Sequence, residues 1–512
     1  MLALTPQPSL VQMLEGACVL SDSAAVTAGP GAEAPARFAA SELSRSMGLR
    51  LALRASGKTV VHFGLDSKAG ALGDEGYRLR VAPHDVSVVA HAAAGLLRAA
   101  QTLRQLALLA GPAQPRALPC CEIEDHPRFA WRGSLLDAGR HFWTVDDTLR
   151  YIDLLALYRM NVLHWHLTED QGWRIEIRKY PRLTEVGAWR REEDGSRYGG
   201  FYTQDEIRRV VAYAAERGVT VVPEIEMPGH SVAALASYPE LSCTGGPFAV
   251  RNRWGVSEDV YCPGNEKVFA FLQDVLTEVM ELFPSRWIHV GGNECPKTRW
   301  KTCPRCRERI RSEGLRDEHE LQKYLINRID AFLVKHGRVL VGWDEILESG
   351  AAGVGHAVEV TFAEGDARTT LSRSAVVQSW RGTQGGIAAA RSGHDVVMSP
   401  NQHCYLDYDV AHVSTRAMYG FEPVPADLTP EQAQHVLGLE GAVWTESIAE
   451  RDRWDYQAFP RLCALAEAAW TDPALRSWDG FRARLAAQAP LLQSLGVRYW
   501  QDPDVWPASG GA

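Results

Sequence analysis

Asn293 and Glu294 stand side by side just beyond a short apolar run, Trp287-Ile288-His289-Val290, with Gly291 and Gly292 in between. The run reads as a buried strand and the glycines as a sharp turn. An amide and a carboxylic acid are therefore presented together at a strand exit. The same form, an apolar run followed at once by polar or aromatic side chains, recurs along the chain. It yields Asp137 with Arg140-His141-Phe142, Thr168-Glu169-Asp170-Gln171-Gly172-Trp173, and Glu226-Met227-Pro228-Gly229-His230. Further on it yields Trp343-Asp344-Glu345, Trp380, Tyr405-Leu406-Asp407 and Trp444-Thr445-Glu446. Trp343, Trp380 and Trp444 offer flat apolar faces that suit the C–H face of a pyranose, while Arg140, Asp407 and Glu446 offer charged hydrogen bonds to ring hydroxyls. Beside those aromatics, Glu294 is expected to have its pKa raised by desolvation and to serve as an acid toward a glycosidic oxygen. Taken singly, each feature has a plainer reading. Arg140 would be a surface ion pair, a strand-end tryptophan core, Asp170-Gln171-Gly172 a turn, and His230 a solvated loop histidine. Their recurrence at strand ends favours one shared site.

The elements that position these residues alternate. From about Trp131 onward, strands are expected at 133–137, 162–167, 219–225, 287–290, 339–343, 375–380, 394–399 and 437–444. Helices are expected at 146–158, 203–217, 265–282 and 318–336. Thr203 followed three residues later by Glu206 is a capping box for the second of these helices. Parallel strands alternating with helices in this number predict a closed (β/α)8 TIM barrel of the α/β class, with its active site at the C-terminal ends of the strands. A doubly wound open sheet is the alternative, but no glycine-rich phosphate fingerprint follows the first strand. Residues 1–125 read as a smaller α/β domain, with a helix through Leu43 and Met47, a strand at 60–65, a hairpin turning at Pro83-His84-Asp85, and a helix from Ala94 to Leu109. Gly111-Pro112-Ala113-Gln114-Pro115 is the linker signal after it. The barrel is assigned to 126–480, and 481–512 to a C-terminal helix and tail packed on it.

A chain of 512 residues, 46% hydrophobic and 23% charged, fits a soluble protein of more than one domain. A formal net charge of −9 argues against nucleic acid or an anionic membrane as partner. No apolar run is long enough to span a bilayer, and the first residues lack the pattern of a secretory signal, so a cytoplasmic location is the expectation. The ten cysteines read as reduced thiols. Cys303-Pro-Arg-Cys306 has the spacing of half a zinc site, with Cys295 its nearest partner. No second pair follows, so the expectation is a coincidental pair or local disulfide, with no metal and no cofactor.

The chain resembles the family 20 glycoside hydrolases, the β-N-acetylhexosaminidases. The resemblance is carried by residues 133–142, 163–174 and 223–230, by His289-Val290-Gly291-Gly292-Asn293-Glu294, by Gly342-Trp343-Asp344, Tyr405-Leu406-Asp407 and Trp444-Thr445-Glu446, and it covers about residues 20 to 480. It implies retaining hydrolysis in which the substrate's own 2-acetamido oxygen attacks the anomeric carbon. The substrate would be an oligosaccharide or glycoside ending in an N-acetylhexosamine. On this resemblance Glu294 is general acid and then base, position 293 orients the acetamide, and Tyr405 donates to its oxygen. Trp343, Trp380 and Trp444 wall the acetamide pocket, Arg140, Asp407 and Glu446 hold sugar hydroxyls, and Asp170 pairs with His230 near Glu294.

The departures are informative. The family pattern has Asp where this chain has Asn293, an engineered change or a natural variant slowed in hydrolysis or biased toward sugar transfer. Glu226 stands where Asp is common. The insertion from Asp409 to Pro425 lacks a tryptophan, with Tyr419 as its expected substitute. Two other readings remain: a carbohydrate-binding protein with little turnover, and a metal-dependent barrel hydrolase built on His164, His166, His230 and His289.

Overall fold

The structure is a computed structural model that describes residues 2–110, 116–347 and 370–507. Its N-terminal part is a six-stranded sheet in the spatial order Leu10–Val19, Ala117–Asp125, Tyr77–Ala82, Asp85–Ala90, Val60–Leu65, Ala25–Ala28. Helices Glu33–Met47 and Ala93–Leu109 pack with the sheet around one apolar core. The expected hairpin pairs Tyr77 with Ala90 through Ala82 with Asp85. Its alternation is legible in sequence because Leu79, Val81, Val86 and Val88 point into the core while Arg78 and Arg80 point out. The strand Leu10–Val19 has no such signature: it lies at the edge with most of its side chains exposed. Ala117–Asp125 returns to the same sheet and pairs with Tyr77–Ala82, Asp125 opposite Tyr77, so the presumed linker at 111–115, itself outside the described residues, falls within this domain's sequence.

Eight parallel strands close a barrel. They are β1 Trp131–Asp137, β2 Val162–His166, β3 Thr220–Met227, β4 Trp287–Gly291, β5 Val339–Trp343, β6 Val376–Ser379, β7 Asp395–Met398 and β8 Val436–Val443. Neighbours in sequence are neighbours in space, and β8 closes on β1 with Leu439 opposite Arg132. Helices Val145–Leu157, Gln204–Ala215, Glu266–Leu282 and Glu318–Lys335 cover the outside where periodicity predicts them. Their starts are chemically marked. Thr203 and Glu206 form the reciprocal capping box, and Asn265 and Asp317 cap the next two helices through their side chains.

Because successive strand residues alternate in direction, inward positions form layers. The lowest layer is apolar: Trp131, Val162, Val222, Val341, Val376 and Val397. Two residues further along these strands the interior becomes ionic. Glu440 accepts from His164 Nδ1 at 2.7 Å, Gln378 Nε2 at 2.9 Å and Trp131 Nε1 at 2.9 Å. Glu224 lies 2.8 Å from His289 Nδ1, 3.1 Å from His164 Nε2 and against His166, and accepts from Trp343 Nε1 at 3.0 Å. Burial works against charge on His164, yet Glu440 and Glu224 push its pKa up to about 9. Of the four histidines that suggested a metal site, His164 and His166 thus hydrogen-bond inside the barrel to carboxylates the sequence did not single out, and His289 lies against Glu224 while its Nδ1 accepts from Gly291 N. The next layer, Leu135, Trp343, Tyr405, Ala442 and Trp444, is aromatic.

The two domains meet at Glu75. It accepts from Arg98 Nε of its own domain at 2.7 Å, and from Arg132 of β1 and Asn161 after the first barrel helix at 2.5 and 3.0 Å. Burial opposes its charge, but Arg132 and Arg98 hold its pKa down to about 2. Removing this carboxylate would strand two buried guanidinium groups, a cost of about 3 kcal/mol. Helix Trp478–Ala487, near the C-terminus, also reaches the N-terminal domain, where Arg484 Nε donates to the Leu4 carbonyl at 3.0 Å.

Candidate active site

At the C-terminal mouth of the barrel lies a cavity of about 330 Å³, lined by Arg140, Asn293, Glu294, Trp380, Tyr405, Asp407, Tyr408, Trp444, Glu446 and Ser447. Glu294 enters it because of the turn after β4. Gly291 and Gly292 have φ of +67° and +95°. A Cβ on Gly291 would sit 1.7 Å from Glu226 Oε2, and one on Gly292 2.6 Å from the Ile346 side chain. Only glycine allows both the left-handed backbone and the close approach. Glu294 has φ +44° and His230 +50°, backbone strain that the surrounding contacts must hold.

A chain of charges runs along one wall. Arg140 Nε lies 3.2 Å from Glu446, and its terminal nitrogens 3.5 Å from Glu169 and 3.3 Å from Asp137. Glu169 accepts from His230 Nδ1 at 2.7 Å, and His230 Nε2 lies 3.5 Å from Glu294 Oε2. Burial disfavours charge on His230, but Glu169 outweighs it and holds the imidazolium well above the usual histidine range. That imidazolium reverses the expectation for Glu294. The His230 imidazolium, 3.5 Å from the Glu294 carboxyl, lowers the Glu294 pKa against the raising effect of partial burial. Replacing His230 by Gln should therefore raise the Glu294 pKa and move the alkaline limb of kcat/KM to higher pH. An unmoved limb in a pH–rate profile would show that His230 does not set this acid.

The same geometry corrects the pairing of His230 with Asp170. Asp170 lies close by but accepts from Val232 N at 3.0 Å and Arg251 at 2.7 Å, and the direct partner is Glu169. The sequence pointed to that residue only through its place beside Asp170 in a polar strand exit. Asn293 is nearly buried, and its side-chain oxygen has no hydrogen-bond partner among the described residues. It is a buried, unpaired acceptor in a residue that lines the cavity. Asp407 likewise leaves one oxygen unpaired, and burial together with Glu446 raises its pKa to about 8. Burial keeps the Tyr405 hydroxyl protonated far above neutrality, so it remains a donor.

The aromatic residues divide. Trp380 and Tyr405 stack 6.4 Å apart at 17°, with Trp380 Nε1 anchored on Glu345 at 3.0 Å. Trp444 packs under the Arg140 guanidinium at 5.0 Å. Trp343 is 1% exposed and lies beneath the cavity, 5.8 Å from Trp444, so it supports the floor rather than presenting a face. Tyr419 is not the expected extra wall: it stacks on Phe481 at 4.6 Å in the core, and Tyr408 lines the cavity instead. Glu226 sits behind Gly291, and burial and Glu224 raise its pKa well above the carboxylate range.

Comparison with known proteins identifies the family. Residues 129–473 match the family model for the catalytic domain of glycosyl hydrolase family 20, and residues 1–126 match the model for its domain 2. A β-hexosaminidase of Porphyromonas gingivalis is 45% identical over 86% of this chain, which spans 56% of that protein's length. A β-N-acetylhexosaminidase of Cellulomonas fimi is 34% identical, with 100% of this chain and 98% of that protein covered. Among solved structures, an exo-β-N-acetylglucosaminidase of Vibrio harveyi in complex with N-acetylglucosamine superposes with a TM-score of 0.85 at 33% identity, covering 98% of this chain and 78% of that one. With its eight-stranded barrel, its smaller preceding domain and a carboxyl group at the mouth, the chain belongs to glycosyl hydrolase family 20.

Proposed function

We propose that the protein is a retaining exo-β-N-acetylhexosaminidase that removes terminal N-acetylglucosamine or N-acetylgalactosamine with the help of the substrate's own acetamide, and that Asn293 slows it. The observation that carries this reading is the gathering of Glu294, Asn293 and the Tyr405 hydroxyl around one cavity at the mouth of the barrel. In the first step the acetamide oxygen attacks the anomeric carbon while Glu294 gives its proton to the departing oxygen, leaving a cyclic oxazolinium. In the second, Glu294 takes a proton from water, which attacks the same carbon and reopens the ring, so the configuration is retained. Tyr405 donates to the acetamide oxygen and Asn293 accepts from its N–H. Trp444 and Trp380 border the acetamide, while Arg140, Asp407 and Glu446 hold the sugar hydroxyls. The relatives named above support the substrate class.

Asn293 also favours a second reading, a lectin-like protein that binds the sugar and rarely turns over, because a neutral amide cannot balance the positive oxazolinium. One series of substrates separates them. With N-fluoroacetyl, difluoroacetyl and trifluoroacetyl glucosaminides, each fluorine makes the acetamide oxygen a poorer nucleophile, so kcat should fall steeply along the series. A flat series would remove the acetamide from the mechanism, and binding without turnover of any member would favour the lectin.

A further inference from the structure

Four cysteines lie together on the outside of the barrel, away from the site just described. Cys262, Cys303 and Cys306 are buried and Cys243 is half-buried, and their four sulfur atoms all fall within 4.8 Å of one another. The shortest separations are 3.5 Å for Cys262 and Cys306, 3.7 Å for Cys243 and Cys306, and 3.8 Å for Cys262 and Cys303. Zinc–sulfur bonds of about 2.3 Å make a tetrahedron whose sulfur–sulfur edge is about 3.8 Å. Two separate disulfides would instead draw the sulfurs into pairs about 2 Å apart. An iron–sulfur cluster, with several irons between the cysteines, would spread them farther.

We propose that Cys243, Cys262, Cys303 and Cys306 bind one structural zinc ion as a tetrahedral tetrathiolate. The surroundings suit thiolate ligands. The Gly264 backbone packs against Cys306, and the Arg305 guanidinium lies beside Cys262 and Cys303, where it offsets the negative charge of four thiolates. Gly264 is required for this packing, because a Cβ there would stand 2.2 Å from the Arg305 carbonyl carbon and 2.5 Å from Cys306 N. Cys295, which the sequence suggested as the partner of the Cys303–Cys306 pair, is not in the cluster: its sulfur faces the Pro296 carbonyl at 3.9 Å.

The position of the cluster gives it a purpose. Cys243 and Cys262 sit on the long excursion after β3, which begins at His230 and carries the Arg251 that pairs with Asp170. Cys303 and Cys306 sit on the segment after β4, which begins at Asn293 and Glu294. A four-coordinate ion would tie these two excursions together and hold the His230–Glu294 contact in register. Tyr261 and Trp300, joined by a 2.9 Å hydrogen bond, lie beside the same seam.

The test is metal analysis of the intact protein, expressed with added zinc and purified without chelator. The expected result is one zinc per chain by mass spectrometry, with X-ray absorption showing four sulfurs at about 2.3 Å. The Cys303→Ser/Cys306→Ser double variant should hold less than a tenth of that zinc, whereas Cys295→Ser should retain all of it. Since the double variant risks misfolding, the intact protein is read a second way. A mercurial thiol reagent should release one equivalent of zinc to a chromogenic chelator. Zinc below a tenth of an equivalent, disulfides among these cysteines by peptide mapping, or iron in place of zinc would each overturn the proposal.

Discussion

Replacing Asn293 by Asp should raise kcat for an aryl N-acetyl-β-glucosaminide by about a hundredfold, equivalent to about 3 kcal/mol of transition-state stabilisation. The amide already supplies an acceptor for the acetamide N–H, so ground-state binding should change little and the gain should appear in kcat rather than KM. What the carboxylate adds is a negative charge next to the forming oxazolinium. The substitution also has a pH signature. A negative charge at 293 disfavours ionisation of the neighbouring Glu294, so the Glu294 pKa rises. The first step needs Glu294 protonated, and the rate falls as pH rises through that pKa. The alkaline limb of the profile should therefore sit at higher pH in the Asn293→Asp protein. Unchanged kcat would sink the idea that Asn293 limits turnover, and coincident alkaline limbs would contradict the coupling of the two side chains.

The second large effect is expected at Glu294. Its replacement by Gln keeps the size and removes both proton donor and base, so kcat should fall about a thousandfold on a substrate with a poor leaving group. An activated aryl leaving group departs with little proton assistance, and its first step should suffer much less. Azide, which attacks the anomeric carbon without a base, should then restore turnover of the activated substrate and give the β-glycosyl azide. An equal loss for both leaving groups, with no azide product, would show that Glu294 does not act as the acid and base. Because Glu294 adopts a left-handed backbone, the variant should be checked by circular dichroism and thermal unfolding before the kinetics are read.

Much of this was written locally. Runs such as Val162 to His166, Trp287 to Gly291 and Val339 to Trp343 alternate inward and outward, so the face shared by His164, His289 and Trp343 follows from strand period alone. The glycine pair sets the turn that presents Asn293 and Glu294, since no other residue tolerates that backbone at that distance from Glu226. Backbone periodicity and turn chemistry act over a few residues, so they are legible in a single chain. The edge strand Leu10–Val19 escaped because its pattern answers to a partner, Ala117–Asp125, rather than to a buried face.

The interactions that decide the chemistry are of the other kind, because they depend on distances between residues remote in the chain. Tertiary packing chose Glu169 over Asp170 as the partner of His230, and the charge it holds there turned the Glu294 pKa downward where burial alone would raise it. It also sent Tyr419 into the core and Tyr408 into the cavity. And it brought Cys243 and Cys262 to the Cys-x-x-Cys pair at a helix start some forty to sixty residues away, so that only half of the constellation had a local signal. Alternation and turns made the strand ends and their polar cargo readable from residues alone; which charge faces which, at 3 Å rather than 6 Å, was decided only when the barrel closed.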